Sequence, residues 1–316
     1  MTAKKDKKIS WIVPCLNEEE SIYQTIKRLV DVSNSINQVK WEIIIIDDGS
    51  SDKSRLIVKE IMNEYQLVKL ICFSRNFGHQ YAVQAGLNFS TGDAAVVIDA
   101  DLQDPPEIVG EMIDYWEKGY DVVYGRRMQR YSESIFKRLT ALIYYRILNL
   151  LSEIDIPLDA GDFRLIDRKV IKALQEMPER GRYLRGLIAW CGFKQIDVPY
   201  KRSGRLAGKT KYSIKKMIIF ALEGITAFSR RPLRLATFFG IFCAIGSFFL
   251  TLFVIYIRLF TNSWIQGWAG LAVGILFLSG VQLISLGILG EYIGRIFEEA
   301  KSRPMYFVEE SFGFDK

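Results

Sequence analysis

Residues 94–106 read AAVVIDADLQDPP, a short apolar run followed at once by an acidic cluster. Unbroken runs of Val and Ile are typical of strands that are buried on both faces of a parallel sheet. Comparable apolar runs occupy residues 8–14, 41–46, 68–73 and 120–124. Helix-like stretches lie between the runs, at 18–32, 52–65, 79–90 and 105–118. This alternation predicts an α/β domain built on a mostly parallel, Rossmann-like sheet with helices on both faces.

Acidic residues follow the predicted strands, at the edge where open parallel sheets bind their ligands. Residues 14–18 read PCLNE after the first strand, and residues 47–52 read DDGSSD after the second. Asp47 and Asp48 come where a ribose or a base would be held, whereas Asp52 could simply cap the next helix.

Asp99 and Asp101 are separated by one residue at the end of the fourth strand, so both can direct oxygen atoms at one divalent cation. Hard divalent cations prefer carboxylate, amide and water oxygens, often with substrate phosphates completing the shell. Arg126, Arg127 and Arg130 follow the fifth strand and could contact a diphosphate. Solvated surface arginines are the alternative interpretation of these three residues.

The charged residues are divided very unevenly along the chain. The 316 residues include 42 Lys and Arg and 36 Asp and Glu, yet residues 235–290 contain Arg258 as their only charge. Residues 235–257 and 268–290 are uncharged, and each stretch is longer than the roughly 20 residues with which a helix crosses a bilayer. The sequence therefore predicts two transmembrane helices and excludes both a wholly soluble globule and a many-span transporter.

The basic residues indicate the orientation of these spans. Residues 201–234 carry ten Lys and Arg against Glu223 alone, which is typical of a cytoplasmic segment beside anionic lipid. No recognised nucleic-acid motif accompanies this basic run, so we expect membrane lipid and not nucleic acid as its partner. The four cysteines form no CxxC motif, as expected of reduced thiols in a cytoplasmic protein.

These patterns divide the chain into six parts. They are a cytoplasmic catalytic domain at 1–200, a basic loop with a juxtamembrane amphipathic helix at 201–234, a first span at 235–257, a short external loop at 258–267, a second span at 268–290 and a cytoplasmic tail at 291–316. Residues 134–151 are apolar at helical spacing and could be either core or an interfacial helix. The strand-like part of the tail, within 304–312, has no evident place in the main sheet and could pair with another subunit, which predicts a homo-oligomer.

Four motifs together resemble the signatures of family 2 glycosyltransferases with a GT-A fold. They are PCLNE at 14–18, DDGSSD at 47–52, DADLQDPP at 99–106 and GDFR at 161–164. The resemblance is strongest to the branch of polyisoprenyl-phosphate sugar transferases, which includes dolichyl-phosphate mannose synthases and bactoprenol glucosyltransferases. It covers most of the chain and is specific for the family, but only weakly specific for the sugar.

The resemblance assigns roles to individual residues. The nucleotide-sugar site would comprise Pro14, Leu16, Asn17, Glu18, Asp47, Asp48, Asp99, Ala100 and Asp101. Mg²⁺ or Mn²⁺ would be held by Asp99, Asp101 and Gln103. Phosphates of donor and acceptor would be contacted by Arg127, Arg130, Arg205, Lys209 and Lys211, the last three in a mobile basic loop.

The implied reaction is an inverting transfer of a hexose, with glucose as the first candidate, from a UDP-sugar to undecaprenyl phosphate. Asp162 is the predicted base or acceptor-orienting group, with Asp159 behind it, and Asp101 and Arg127 complete the catalytic set. An Asp162–Arg164 pair that only fixes a loop is the alternative. His79 is the single histidine, and a structural role is predicted for it.

Several other functions are compatible with parts of the pattern. The donor could be GDP-mannose or a UDP-amino sugar, and the acceptor could be another lipid such as diacylglycerol. A processive polysaccharide synthase would carry a Gln-x-x-Arg-Trp signature, which this sequence lacks. A membrane scaffold without turnover is disfavoured by the intact acidic motifs.

Overall fold

A computed structural model describes residues 7–128, 160–201, 229, 231–260 and 268–314. The described residues belong to two compact units. One unit contains the sheet together with residues 303–314, which we call the C-terminal tail, and the other contains two long apolar helices. Residues 303–314 thus belong to the unit that contains the sheet, whereas the predicted tail begins at 291.

The strands and helices predicted between residues 8 and 124 are all present, with ends shifted by a few residues. The strands are β1 (Lys7–Cys15), β2 (Val39–Asp47), β3 (Val68–Phe73), β4 (Ala94–Val97), β5 (Val122–Arg127), β6 (Ala160–Asp167), β7 (Gln195–Tyr200) and β8 (Val308–Phe312). The helices are α1 (Ile22–Ser35), α2 (Ser54–Glu64), α3 (His79–Phe89), α4 (Val109–Glu117), α5 (Arg168–Glu176), α6 (Leu184–Trp190), α7 (Arg231–Phe260) and α8 (Trp268–Ala300), and a short 3₁₀ helix covers Pro106–Ile108.

The eight strands form one mixed sheet in the order β7-β5-β6-β4-β1-β2-β3-β8. Strands β4, β1, β2 and β3 are parallel neighbours, as the sequence predicts. The fifth predicted strand does not lie beside β4, because β6 is inserted between them and runs antiparallel to both. Parallel pairing resumes between β5 and β7.

The insertion of β6 determines what lies at the ligand-binding edge. Val97 at the end of β4 pairs with Arg164, and Arg126 near the end of β5 pairs with Ala160. Because β6 is antiparallel, its first residues lie at the carboxyl ends of β4 and β5. Asp162 therefore comes to the same edge as the acidic loop that follows β4.

The core of this unit lies on both sides of the central strands. Ile43, Ile44, Ile45 and Ile46 of β2 are all fully buried, as expected of a strand covered on both faces. Complete burial of one such side chain contributes roughly 2 kcal/mol to folding. The sheet is therefore a rigid frame for the loops at its carboxyl edge.

The C-terminal tail corrects one sequence prediction. Strand β8 pairs antiparallel with β3 of its own sheet, with Leu70 opposite Phe312 and Phe73 opposite Val308. The prediction that this segment has no place in the main sheet was wrong, because β3 is left with an open edge that a returning strand can cover. The reason for expecting a homo-oligomer is thereby removed.

Helices α7 and α8 contain the two predicted membrane spans and pack against each other. Their windows Arg231–Leu250 and Phe277–Ala300 are long and apolar enough to cross a membrane, and they are the candidate spans among the described residues. Large side chains such as Phe242, Phe249 and Leu283 are exposed, unlike those of a helix in a soluble core. Helix α8 continues to Ala300, well past the predicted end at residue 290.

A buried charge cluster stabilises the amino-terminal ends of the central strands, opposite the carboxyl ends where ligands are expected to bind. The Glu42 carboxylate is 2% exposed and lies 2.9 Å from both Lys8 Nζ and Lys69 Nζ. It also accepts hydrogen bonds from Ser10 Oγ at 2.6 Å and from Thr91 N at 2.7 Å. Burial alone would raise the pKa of Glu42, but these hydrogen bonds outweigh it and lower the pKa from 4.5 to about 2.

We expect Glu42→Ala to lower the free energy of unfolding by about 3 kcal/mol, because it leaves buried donors and two cations without their acceptor. Since the folded-state pKa is depressed, the contribution of Glu42 is complete above pH 4.5 and is lost as the pH falls toward about 2. Urea unfolding of the detergent-purified chain at several pH values measures both effects.

Glu107→Ala is the matched control, because Glu107 also bonds a cation, Arg28, but its side chain is 53% exposed. Its cost should stay below about 1 kcal/mol. Equal losses for the two variants would contradict the role assigned to burial.

Candidate active site

The loops that follow β1 and β2 are held together by hydrogen bonds. Asn17 N donates to Ser50 Oγ at 3.0 Å, and Ser51 N donates to Asn17 Oδ1 at 2.8 Å. Glu18 N donates to Ser54 Oγ at 2.8 Å. Asn17 has a φ of +53°, a left-handed conformation that asparagine tolerates better than most residues. The two predicted nucleotide-binding loops therefore form one connected structure.

Three further residues predicted for the nucleotide-sugar site are apolar. Pro14 is buried near the end of β1, and Leu16 is half-buried in the loop that follows. Ala100 is buried, and its carbonyl accepts a hydrogen bond from Thr25 Oγ1 at 2.8 Å. These residues form part of the frame around the polar groups.

Asp47 is buried, and both of its carboxylate oxygens accept hydrogen bonds from the protein. Ser50 N donates to Oδ1 at 3.1 Å, and Arg55 Nε donates to Oδ2 at 2.9 Å. Asp47 therefore closes the turn after β2 and connects it to helix α2.

Asp48 is also buried and is held by the loop between β3 and α3. Phe77 N donates to Oδ1 at 2.7 Å, and Gly78 N donates to Oδ2 at 2.9 Å. Burial raises the pKa of Asp48, and these two hydrogen bonds only partly offset that effect. Gly49 has a φ of +74°, and a Cβ there would lie 2.5 Å from the carbonyl carbon of Arg75. The loop thus packs directly on the backbone that carries Asp48.

The acidic loop after β4 has an unusual backbone. Leu102, between Asp101 and Gln103, has a φ of +57°, a left-handed conformation that is costly for a side chain of this size. Gln103 N donates to Asp101 Oδ1 at 3.2 Å. Conformations of this kind concentrate at ligand-binding sites, where surrounding contacts enforce them.

Asp99 lies close to several other acids. Burial raises the pKa of Asp99 to about 6, and the negative charges of Asp162, Asp101 and Asp104 add to that effect while His79 opposes it. A site that disfavours ionisation of its own carboxylates in this way is suited to a cation.

The donor set fits a hard divalent cation. Asp99, Asp101 and Gln103 offer two carboxylates and an amide within one loop, and such a cation takes about six oxygen ligands. Among the described residues, no group of three or more His, Cys, Asp and Glu side chains is placed to hold a metal ion by itself. The remaining ligands would have to come from substrate oxygens and water.

Asp162 is the centre of a second polar network at this edge. Arg185 Nε donates to Asp162 Oδ1 at 2.8 Å, and Arg185 Nη2 donates to Oδ2 at 3.1 Å. His79 Nε2 lies 3.3 Å from Asp162 Oδ2 and 3.7 Å from Asp99 Oδ1. The single histidine is thus placed between the two acidic groups, whereas the sequence suggested a structural role.

The charges of this network reinforce one another. Burial alone would raise the pKa of Asp162, but Arg185 and His79 hold it well below its ordinary range. Burial would lower the pKa of His79, yet Asp162 and Asp99 raise it to about 9. At neutral pH Asp162 is therefore ionised and His79 is protonated.

Arg164 was the partner predicted for Asp162 in the alternative interpretation of the GDFR motif. It is buried in β6, where its Nη2 donates to the carbonyl of Gly161 at 2.7 Å. Burial lowers the pKa of Arg164 to about 10. The bidentate partner of Asp162 is Arg185 instead.

Arg127 ends β5 beside the start of β6. Its Nε donates to the Tyr200 hydroxyl at 3.3 Å, and its Nη2 lies 3.7 Å from Asp104 Oδ2. The same hydroxyl donates to Asp104 Oδ1 at 2.5 Å. A Cβ at Gly161 would lie 2.9 Å from Arg127 Nη2, so the glycine leaves room for the guanidinium. Arg126, by contrast, bonds Asp197 at 2.6 Å on an exposed part of the edge.

Some predicted positions lie outside the described residues. They are Arg130, Asp159, Arg205, Lys209 and Lys211, together with the segment 134–151 and nearly all of 202–230. Their roles stay predictions.

The structure adds residues that the motifs did not indicate. Arg185 and Tyr200 belong to no acidic motif and follow Asp162 by many residues. Asp104 is inside the DADLQDPP motif, where its burial could not be distinguished from exposure. Only the rarity of histidine singled out His79.

A GT-A-like mixed sheet with acidic loops at its carboxyl edge is the architecture of nucleotide-sugar transferases, and comparison with known families agrees. The model of glycosyl transferase family 2 matches residues 10–175. The chain belongs to this family and is a glycosyltransferase, which confirms the resemblance drawn from the four motifs.

Relatives match over nearly the whole chain. An uncharacterized glycosyltransferase of Bacillus subtilis, YkcC, is 48% identical over 97% of this chain and 94% of its own length. The bactoprenol glucosyl transferase of Shigella phage SfII is 40% identical, over 96% and 98% of the two chains. Among solved structures, S. aureus TarS 1-349 in complex with UDP covers 70% of this chain and 64% of its own, at 14% identity and a TM-score of 0.46.

We expect Arg185→Met to reduce sugar transfer by about 10- to 100-fold, because it removes two charge-assisted hydrogen bonds that hold Asp162. Arg185 also interacts with Asp99, whose pKa is already about 6, so loss of this cation should raise that pKa further and move the acid limb of the pH–activity profile to higher pH. Initial rates across pH measure both changes.

Arg126→Met is the matched control, since Arg126 Nε also donates to an aspartate, Asp197, on a more exposed part of the sheet. It should leave the rate and the pH profile close to those of the wild-type chain. A similar loss in both variants would show that the effect of Arg185 is not specific to Asp162.

Proposed function

We propose that this glycosyltransferase moves a hexose, with glucose as the first candidate, from a UDP-sugar to a polyisoprenyl phosphate such as undecaprenyl phosphate. The transfer would invert the anomeric carbon and take place at the cytoplasmic face of the plasma membrane. The observation that carries the proposal is the junction of the two networks, where His79 lies 3.7 Å from Asp99 and 3.3 Å from Asp162. This junction brings Asp99, which would act on the sugar donor, close to Asp162, which would act on the acceptor.

The donor side would be the loops after β1, β2 and β4. Asp48 and the interlocked residues Asn17 and Glu18 offer fixed polar groups for a nucleotide. Asp99, Asp101 and Gln103 would hold Mg²⁺ or Mn²⁺, whose charge offsets the negative charge that develops on the departing diphosphate. Arg127, fixed by Tyr200 and Asp104, adds a positive group at the same edge.

The acceptor side would be organised by Asp162 and its partners. Both carboxylate oxygens accept hydrogen bonds from Arg185, and the pKa of Asp162 is well below its ordinary range. General bases work best with a pKa near the working pH, so this carboxylate is better suited to orienting groups than to removing a proton. A phosphate monoester is already mostly ionised at neutral pH and needs little proton removal.

The same argument distinguishes the two classes of lipid acceptor. A lipid alcohol such as diacylglycerol would have to lose a proton during the reaction, and His79 Nε2 is already directed at the carboxylates of Asp99 and Asp162. Asp162 is ionised but weakly basic. The network therefore favours a phosphorylated acceptor, whose negative charge Arg185 and His79 can help to balance.

Two further observations support a polyisoprenyl phosphate. Several relatives at 40% identity over nearly their full length carry the name bactoprenol glucosyl transferase. In addition, the apolar helices α7 and α8 would keep the enzyme beside an acceptor that is confined to the bilayer. The basic run at 201–234 supports a cytoplasmic catalytic domain with both termini on that side.

A panel of donors tests the proposed function directly. The purified chain in mild detergent is incubated with undecaprenyl phosphate, Mg²⁺ or Mn²⁺, and radiolabelled UDP-glucose, UDP-amino sugars or GDP-mannose. We expect a lipid-linked product with UDP-glucose that is lost when EDTA is added. Product formed with diacylglycerol in place of undecaprenyl phosphate would contradict the proposal. The absence of lipid-linked product with every donor would contradict it as well.

Asp162→Asn should reduce turnover by about 100-fold or more, because the amide can no longer accept both hydrogen bonds from Arg185 or balance its charge. Affinity for UDP with Mn²⁺ should change by less than about twofold, since Asp162 would act on the acceptor. Initial rates and calorimetric titration measure the two quantities separately.

Asp197→Asn is the control for this variant, because Asp197 also accepts a hydrogen bond from an arginine Nε, that of Arg126, at the edge of the sheet. Its turnover should match that of the wild-type chain. Near-normal turnover of Asp162→Asn would refute the catalytic role of Asp162.

A further inference from the structure

We propose that the C-terminal tail is a positioning element of the nucleotide pocket, which it serves by holding the carboxylates of Asp47 and Asp48 in place. The inference rests on the proposed function in one respect, namely that these two acids lie in the donor pocket. It is carried by two separate routes of contact from the tail, one to each aspartate.

The first route begins at the start of β8, which pairs with the end of β3. Phe73, the last residue of β3, pairs with Val308, and the contact continues into the next loop because Ser74 N donates to the Phe307 carbonyl at 3.1 Å. The tail thus holds the beginning of the loop at 74–78, whose end donates two backbone hydrogen bonds to Asp48.

Aromatic contacts reinforce this route. Tyr306 stacks on Phe73 with ring centroids 4.9 Å apart, and Phe77 meets the same ring edge-on at 5.6 Å. Phe307 lies 6.2 Å from Phe77. Aromatic pairs of this geometry contribute beyond the area that they bury. Phe307 therefore contacts Phe77 directly, and Tyr306 contacts it only through Phe73. The backbone N–H of Phe77 is a hydrogen-bond donor to Asp48.

The second route is electrostatic and ends at Asp47. Glu309 Oε2 lies 3.0 Å from Arg55 Nη1, and Arg55 Nε donates to the buried Asp47 Oδ2 at 2.9 Å. Arg55 Nη2 also donates to the Phe73 carbonyl at 3.4 Å. Glu309 therefore restrains the guanidinium that orients Asp47.

The beginning of the tail makes two further contacts with the catalytic unit. Arg180 Nε donates to the Arg303 carbonyl at 2.5 Å, and Asn88 Nδ2 donates to the Tyr306 hydroxyl at 3.0 Å. The Asn88 bond joins the tail to helix α3, which begins with His79, and the Arg180 bond joins it to the segment between α5 and α6. The tail thus touches elements on both sides of the loop that holds Asp48.

Covering the edge of β3 is the simpler role for the tail, and a neighbouring residue allows the two roles to be separated. Glu310 forms an ion pair with Lys59 at 3.0 Å that matches the pair of Glu309 with Arg55 in length and exposure. Lys59 lies one helical turn after Arg55 and contacts the Phe312 ring at 4.2 Å. Both glutamates cover the edge, but only Glu309 bonds the arginine that holds Asp47.

The test compares Glu309→Gln with Glu310→Gln in the full-length chain in detergent. Glu309→Gln should weaken the binding of UDP with Mn²⁺ by about threefold, the scale of one partly exposed ion pair, and raise the donor KM equally. The acceptor KM should stay unchanged, and Glu309→Asp should restore part of the affinity. Glu310→Gln should bind UDP like the wild-type chain.

Phe307→Ala extends the test to the first route. Loss of the ring should raise the donor KM by about fivefold while the acceptor KM stays constant. Because this variant could also lower stability, its thermal unfolding midpoint is measured beside that of Phe312→Ala, which removes a tail ring distant from Asp48. A donor KM that rises equally in both variants would overturn the positioning role.

The outcomes separate this inference from the proposed function. Equal UDP affinities of Glu309→Gln and Glu310→Gln would overturn the role of the tail even if the lipid-linked product forms normally. Conversely, weaker UDP binding in Glu309→Gln alone would support the tail inference even if no polyisoprenyl phosphate acts as acceptor, an outcome that would contradict only the proposed function.

Discussion

The crowding of carboxylates at the end of β4 is the constraint on which the rest of the site depends. Burial and the charges of Asp162, Asp101 and Asp104 raise the pKa of Asp99 to about 6. Such a cluster is stable only if cations surround it. Arg185, His79 and Arg127 supply that charge from three other elements. Cations therefore lie both beside Asp162 and beside the loop after β4. This arrangement suits the proposed reaction between two phosphorylated substrates.

Much of this balance comes from one feature of topology that local sequence patterns do not contain. The acidic loops after β1, β2 and β4 could be predicted, because parallel strands place their carboxyl ends together. The position of Asp162 could not, because it requires β6 to run antiparallel between β4 and β5. Arg185 and His79 were missed for the same reason, since their importance lies in contacts between distant segments. Rarity of a residue type, as with His79, says nothing about where its ring points.

The positions of the strands and helices along the chain were easier to predict than the order in which the strands pair. Runs such as residues 41–46 are unambiguous because they are too short and too rich in Ile for surface helices. The two apolar helices follow from length and the lack of charge alone. Pairing partners are another matter, because a strand's sequence specifies which face is buried but not which edge it joins. For this reason the sequence allows the tail to pair with another subunit as well as with its own sheet.

The tail can both cover the open edge of β3 and support the loops of the site. An open strand edge invites pairing with other chains, and short strands with charged residues discourage it. Strand β8 covers β3 and, as the new edge, is only five residues long with two exposed glutamates. Those glutamates pair with Arg55 and Lys59 on helix α2. Because Arg55 also holds Asp47, the charge that protects the edge acts on the acidic turn after β2 as well. Strand β8 therefore connects residues 303–314 to the loops at the carboxyl ends of the strands.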